Sequence, residues 1–257
     1  MSNNPTLSEE ALKDLLYKIA DDQLIIGHRN SEWTGLGPIL EEDIAFSSMA
    51  QDKIGQSLQF YTLLNQIGES EPDTIAFTRN AAEFHNCQFV ELPIREYDFS
   101  LVRHFLFDTS EMIRMQMLSN SSVEEIAELA HKLVGEIRYH IMHANGWIKK
   151  LGTASDNSIE RLQKSLNYSM PFALGIFEES KYESEIIDAK VFGGEHELRE
   201  RWIESIDETL AKTELVLPDL ALEPVHLGGR YGEHTMHLQP LLEEMSEVFR
   251  TDPTADW

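Results

Sequence analysis

The sequence contains a single cysteine, Cys87, in 257 residues. No internal disulfide can form and a thiolate-held metal cluster is excluded, which fits a reducing, cytoplasmic setting. Basic residues are scarce too: 21 Lys and Arg stand against 45 Asp and Glu, a formal net charge of −24. Such a surface repels phosphate backbones and anionic bilayers, so neither nucleic acid nor a membrane is expected as a partner. Long apolar runs are missing; none approaches the roughly 20 residues that cross a bilayer. The stretch Met1–Pro5 lacks the basic and apolar regions of a secretory leader, so a soluble protein is expected. Gly35-Leu36-Gly37 has no third glycine and no strand before it, so it is not a phosphate loop. There is no Gly-x-Ser-x-Gly elbow, and Cys87 has only His85 nearby as a base, so thiol or serine catalysis is not expected.

What is present is helical patterning and material for a core. The apolar share is 42%, with four Trp, twelve Phe and seven Tyr. Ser8 is placed to cap a first helix, with Glu9 and Glu10 at its positive end and Leu12, Leu16, Ile19, Gln23 and Ile26 on one face. The run Trp33–Pro38 breaks that pattern. A second helix is predicted from Ile39 to Ile67, with Met49, Ile54, Leu58, Tyr61 and Leu64 as its apolar positions. Thr74 to Gln88 reads as a shorter helix, and Phe89 to Leu92 as extended before Pro93. A third long helix is predicted from Asp98 or Ser100 to Leu118, and a fourth from Ser121 or Ser122 to Gly152. The fourth carries a stripe of Leu129, Leu133, Ile137, Ile141, Ala144, Ile148 and Leu151. Further helices are expected at about 155–169, 172–181, 196–213 and 233–250, punctuated by Gly193-Gly194, Pro218, Pro224 and Gly228-Gly229. No strand alternation of useful length occurs. The economical reading is one all-α domain over 1–257, an antiparallel helical bundle with additional C-terminal helices.

Bundles of this kind can hold two metal ions between four helices. The chemistry needs a carboxylate from each of two helices and a Glu-x-x-His pair from each of the other two. The first helix offers Asp21 and Asp22 inside an otherwise apolar turn; the second offers Asp52, but Gly55 stands three residues on. The third offers Asp108 within Phe105–Phe107, and the fourth offers Glu136, His140 and His143, with Ile137 where a carboxylate should precede His140. Asp22 and Asp52 stand nearly as far apart as Asp108 and Glu136, which suggests a duplicated ferritin-like unit whose ligand set is degraded. No bound metal is therefore expected, and Asp21, Asp22, Asp52, Asp108, Glu136 and His140 are vestigial positions. The bland alternative for Asp21, Asp22 and Asp52 is a place at the solvent edge. Asp108 is expected to be buried and hydrogen-bonded, because an unpaired buried carboxylate is costly. His140 and His143 are expected to be satisfied core or interface histidines. Arg138 or Lys53 could neutralise the stranded carboxylates. Glu233, His234 and His237 form a weaker metal candidate near the last helix.

Several stretches carry a resemblance. They are Gly27-His28-Arg29-Asn30-Ser31-Glu32-Trp33, Pro38–Ala45, Asp52-Lys53-Ile54-Gly55-Gln56, Phe77-Thr78-Arg79, Phe107-Asp108, Arg138-Tyr139-His140, Gly146-Trp147 and Gly228–Leu238. In that order they resemble the C-subunit family of phenylacetyl-CoA 1,2-epoxidases along nearly the whole chain. Two positions depart from the family's usual pattern: Thr34 stands where Cys is common, and Met236 where Glu is common. The resemblance implies a ferritin-like, non-catalytic structural subunit of a multicomponent bacterial monooxygenase acting in phenylacetate catabolism. It implies a sister subunit that carries the di-iron centre and epoxidises the aromatic ring, a separate flavin and iron–sulfur reductase, and homo- and hetero-oligomeric assembly. No cofactor is then expected in this chain. The rival expectation is a self-contained di-iron oxygenase, or a ferritin-like iron-binding protein, working with the reduced ligand set.

Overall fold

The computed structural model describes residues 7–221 and 225–252. Met1–Pro5 and Pro224, read above from the sequence, lie outside them. Ten α-helices and three short 3₁₀ turns are found among the described residues, and no strand. The chain is all-α, of the ferritin-like bundle class. It divides into two compact units. One comprises residues 1–11 and 94–226, the other 12–93 and 227–257.

The second of these is built on α1 (Glu9–Ser31) and α2 (Leu40–Gln66). Ser8 caps α1 through Oγ, 3.2 Å from the Ala11 amide. The two helices run antiparallel, because Asp21 meets Tyr61 while Gly27 lies against Lys53 and Ile54. On α1, Leu16, Ile19, Gln23 and Ile26 are buried as their spacing predicts, while Leu12, read on the same face, is only half-buried. On α2 the apolar reading needs correction: Met49, Tyr61 and Leu64 are buried, but Leu58 is 50% exposed and Ile54 36%. Ile54 sits at the edge where Gly27 touches it, and Leu58 lies on the outward face. The stretch read as one helix from Thr74 is broken into α3 (Pro72–Thr78), a 3₁₀ turn (Ala81–Glu83) and α4 (Gln88–Glu91). Phe89–Glu91 is thus helical rather than extended. The turn preceding Pro93 closes only at Leu92, whose φ is −60° and ψ 137°, as a residue before proline requires. The unit is completed by a 3₁₀ turn (Gly229–Tyr231) and α10 (Leu238–Thr251).

The other unit packs α6 (Glu124–Leu151), α7 (Asp156–Ala173) and α9 (Glu195–Leu210) around α5 (Tyr97–Leu118). Helix α5 is buried almost all round, as a central helix must be. It runs antiparallel to α6, since His104 faces His143 and Asp108 faces His140. The buried stripe of α6 is Ile126, Ala130, Leu133, Ile137, His140, Ala144 and Ile148, turned slightly from the predicted one so that Leu129, Ile141 and Leu151 are only half-buried. Arg114 ties α5 to α9 by its bond to Glu195 at 2.7 Å, and Trp202 Nε1 donates to the Leu106 carbonyl at 2.8 Å. Helix α7 does not stop at residue 169; it continues through Pro171 to Ala173 and ends in a 3₁₀ turn, Leu174–Phe177. The Pro171 carbonyl is used, accepting from the His226 amide at 3.1 Å. Short α8 (Glu183–Asp188) is absent from the sequence reading.

Candidate functional site

In the unit built on α1 and α2, neighbouring Asp21 and Asp22 are both fully buried, so the solvent-edge alternative fails for them. Their carboxylates diverge to different arginines. Asp21 receives four donors: Tyr61 Oη at 2.5 Å, Arg79 Nη2 at 2.6 Å and Nη1 at 3.0 Å, and the His85 amide at 2.8 Å. Arg79 is itself aimed by bonds to the Ile75 and Glu83 carbonyls at 2.7 and 2.9 Å. Burial pushes the Asp21 carboxyl up, but the Arg79 guanidinium outweighs it and holds the group below the usual carboxylate value. Burial and the adjacent Asp21 charge push the Tyr61 hydroxyl well above the ordinary phenol value, so it stays a donor.

Asp22 is gripped from the opposite end of the sequence. Arg230 Nη1 and Nη2 each lie 2.9 Å from one of its oxygens, and the Cys87 amide donates at 2.7 Å. A third buried carboxylate, Glu91, was not singled out by sequence reasoning. It accepts from His234 Nδ1 at 2.7 Å, Asn86 Nδ2 at 3.0 Å, and the Thr235 amide and hydroxyl at 2.7 and 2.6 Å. The segment Gly228–Leu238 is therefore a strap over residues 84–91. Its glycines are needed for closeness: a Cβ on Gly229 would stand 2.4 Å from the Asn86 carbonyl oxygen, and Gly232 takes φ +80° against Ala82. The weaker metal candidate does not assemble around His234, whose ring nitrogens face Glu91 and, at 3.0 Å, the Phe84 carbonyl. Asp52 is half-buried, and its neighbour Lys53 fully buried, on α2.

In the unit built on α5, Asp108 is fully buried and hydrogen-bonded, as expected. Its partner from the same helix, His104, was missed: it stands one turn earlier, where an i, i+4 pair shares a face. His104 Nδ1 lies 2.5 Å from Asp108 Oδ2, and His140 Nδ1 3.2 Å from Oδ1. Facing a carboxylate, each Nδ1 carries the proton. His143 Nδ1 lies 3.4 Å from His104 Nε2, extending the line toward the surface. Burial pushes the His104 imidazole below its ordinary value, against the pull of Asp108, and so favours its neutral form. Glu136 is half-buried and Arg138 exposed on α6; imidazoles, not Arg138, are what Asp108 meets.

These donor sets do not fit a di-iron centre in either unit. The lone pairs of Asp21 and Asp22 point at guanidinium groups, and the two Asp108 oxygens at imidazole N–H groups. Among the described residues, no group of three or more His, Cys, Asp or Glu is arranged to hold a metal ion. Saturated, buried charge pairs of this sort tie segments distant in sequence to one another.

Along residues 1–257 the sequence matches the phenylacetic acid catabolic protein family. The chain belongs to that family. It is also similar to the C-subunit of 1,2-phenylacetyl-CoA epoxidase from Escherichia coli K12, 28% identical over 241 residues, which cover 93% of this chain and 96% of that relative. Membership gives the strap a meaning: the Gly228–Leu238 stretch that carries the resemblance is the one that supplies Arg230, His234 and Thr235 to buried carboxylates. Of the two departures from the family's usual pattern, Thr34 donates to or accepts from Ser47 at 2.9 Å and Met236 is 83% exposed; neither touches the buried pairs. No helix among the described residues is long and apolar enough to cross a membrane.

Proposed function

We propose that this chain is the structural, non-catalytic subunit of a multicomponent monooxygenase that epoxidises the aromatic ring of phenylacetyl-CoA in phenylacetate catabolism, working in the cytoplasm. One observation carries the reading: of the acidic positions that a di-iron bundle would use, three are occupied from within, Asp21 by Arg79, Asp22 by Arg230 and Asp108 by two histidines. A metal ion would have to displace a bidentate guanidinium from a dry site, stranding a buried positive charge, which is strongly unfavourable. Guanidinium groups at Asp21 and Asp22 and imidazole N–H donors at Asp108 therefore do for this chain what iron does for a catalytic bundle: they satisfy inward carboxylates and hold helices in place.

The oxygen chemistry then belongs to a sister subunit that holds the di-iron centre, with which this chain forms a hetero-oligomer. The family membership and the similarity to an epoxidase C-subunit support that division of labour. Its test is reconstitution. The sister subunit and its reductase are assayed for epoxidation with this chain, without it, and with a form carrying Asp21→Asn and Asp108→Asn. The reading expects activity to need the chain yet to survive both substitutions if the folded complex still forms. Loss of turnover in a complex that assembles normally would overturn it.

A further inference from the structure

Helix α8 ends on a residue that the local backbone does not favour. Lys190 takes φ +58°, in the left-handed region, just past the C-cap Ala189. The Lys190 amide bonds the Ile187 carbonyl at 2.9 Å and the Val191 amide the Ile186 carbonyl at 3.0 Å, a helix ending for which glycine is the usual, least strained choice. The turn is pinned as well: Ser122 donates its amide to the Lys190 carbonyl at 3.0 Å and its hydroxyl to the Ala189 carbonyl at 2.8 Å. A strained residue held this firmly points to a use for its side chain. Lys190 is exposed, and its ammonium makes no hydrogen bond or ion pair among the described residues.

Lys190 lines a cavity of about 380 Å³ in the unit built on α5. The buried apolar side chains of Met117, Val191 and Phe192 line it too. Gly193 leaves it room, since a Cβ there would stand 2.8 Å from Met117 Cε and 2.7 Å from Glu197 Oε2. The lining carries two cations, Lys190 and Arg201, and one carboxylate, Glu197, which Arg201 meets at 2.5 Å. One positive charge is therefore left over, in a chain whose net charge is −24.

We propose that this cavity is a binding site for a small aryl carboxylate, its acid group on Lys190 and Arg201 and its ring against Met117 and Phe192. The site goes beyond the structural-subunit reading and does not rest on it. Charge selects the acid: a monoanion neutralises the lining, whereas a doubly charged phosphate ester would leave a negative group in the repelling field of an acidic chain. Arg201 can bond the ligand without releasing Glu197, because a guanidinium has five N–H donors. The thioether of Met117 and the ring of Phe192 select an aromatic body, with which both make favourable contacts. The volume is at the small end of ligand sites, room for one ring and a short acid arm and too little for a nucleotide.

The experiment titrates the full chain by calorimetry with phenylacetate, with phenylacetamide as the uncharged twin and with acetate as the acid without a ring. Wild type is compared with Lys190→Gly, Arg201→Gln and, elsewhere in the same unit, Lys164→Ala, each also followed by thermal unfolding. The proposal expects wild type to bind phenylacetate with Kd of about 0.1–1 mM, as suits so small a ligand, and the two control ligands at least about tenfold more weakly. Lys190→Gly should melt no lower than wild type, since glycine accepts the left-handed turn, yet bind phenylacetate at least about tenfold more weakly. Arg201→Gln should weaken binding in the same direction, and Lys164→Ala should leave it unchanged. Absence of saturable binding by wild type up to about 10 mM, far above that Kd range, would overturn the site. Equal affinity for phenylacetamide or acetate would overturn the ligand class, and with it the proposal. Wild-type affinity in both folded variants, Lys190→Gly and Arg201→Gln, would place any binding elsewhere and overturn it as well.

Discussion

Arg79 holds Asp21 with both terminal nitrogens, Nη2 to Oδ1 at 2.6 Å and Nη1 to Oδ2 at 3.0 Å, on a carboxylate with no solvent exposure. The pair joins α1 to the loop after α3, 58 residues away in sequence. Removing only the cation leaves a buried, uncompensated charge. Arg79→Ala should cost about 3–5 kcal/mol of unfolding free energy in urea. Adding Asp21→Leu to it should recover much of that loss, since removing both partners is far cheaper than removing one. Equal losses in the single and double variants would show that the pair does not act as a unit.

The same pair sets an acid limit. Arg79 holds the folded Asp21 group below its unfolded value, so its stabilisation is fully present above the ordinary carboxylate range and is lost as pH falls through the depressed value. Asp21→Asn should therefore remove part of the stability slope below pH ~4, while stability at pH 7 is lower throughout.

His28 works in a higher window. Burial lowers its imidazole from 6.5 to about 4. Between those values the unfolded chain binds the proton and the folded chain does not, so stability is full above about pH 6.5 and declines as pH falls toward 4. The loss attributable to His28 is up to about 3 kcal/mol. His28→Gln should flatten the profile of unfolding free energy across that window; an unchanged slope would assign it to other groups.

Cys87 reports on the strap. Its thiol is buried, and burial together with the nearby Asp22 charge pushes it well above the ordinary thiol value. Native labelling by a thiol reagent at pH 8 should be slow. Arg230→Ala frees Asp22 from its only guanidinium among the hydrogen bonds described above and loosens Gly228–Leu238, so labelling should accelerate by at least about tenfold, an opening made some 1.4 kcal/mol easier. Equal rates in the two proteins would mean that the strap is held elsewhere.

The long helices were legible because their spacing is regular, their caps are plain and their breaks are glycine and proline: Ser8 opens α1, Gly152 closes α6. Short elements were not. Gln88–Glu91 and Glu183–Asp188 are each too brief for a period to show, and Pro171 lies in the last turn of α7, which runs only two residues beyond it. Ile54 and Leu58 read as core because a helical stripe says which residues share a face and not which face is turned inward. The acidic positions themselves were visible, but their partners were not. Arg79 and Arg230 stand in the motif stretches, yet they meet carboxylates 58 and 208 residues away. His104 could have been found, since it precedes Asp108 by one helical turn.

The central claim is that internal guanidinium and imidazole donors replace iron in this chain. It is tested most directly by loading the purified chain with Fe(II) under anaerobic conditions, desalting it and measuring iron by elemental analysis. The account predicts iron near zero per chain, with the protein folded before and after loading. Retention of about two irons per chain, the content of an intact carboxylate–histidine bundle, would contradict it and make the chain a candidate oxygenase in its own right.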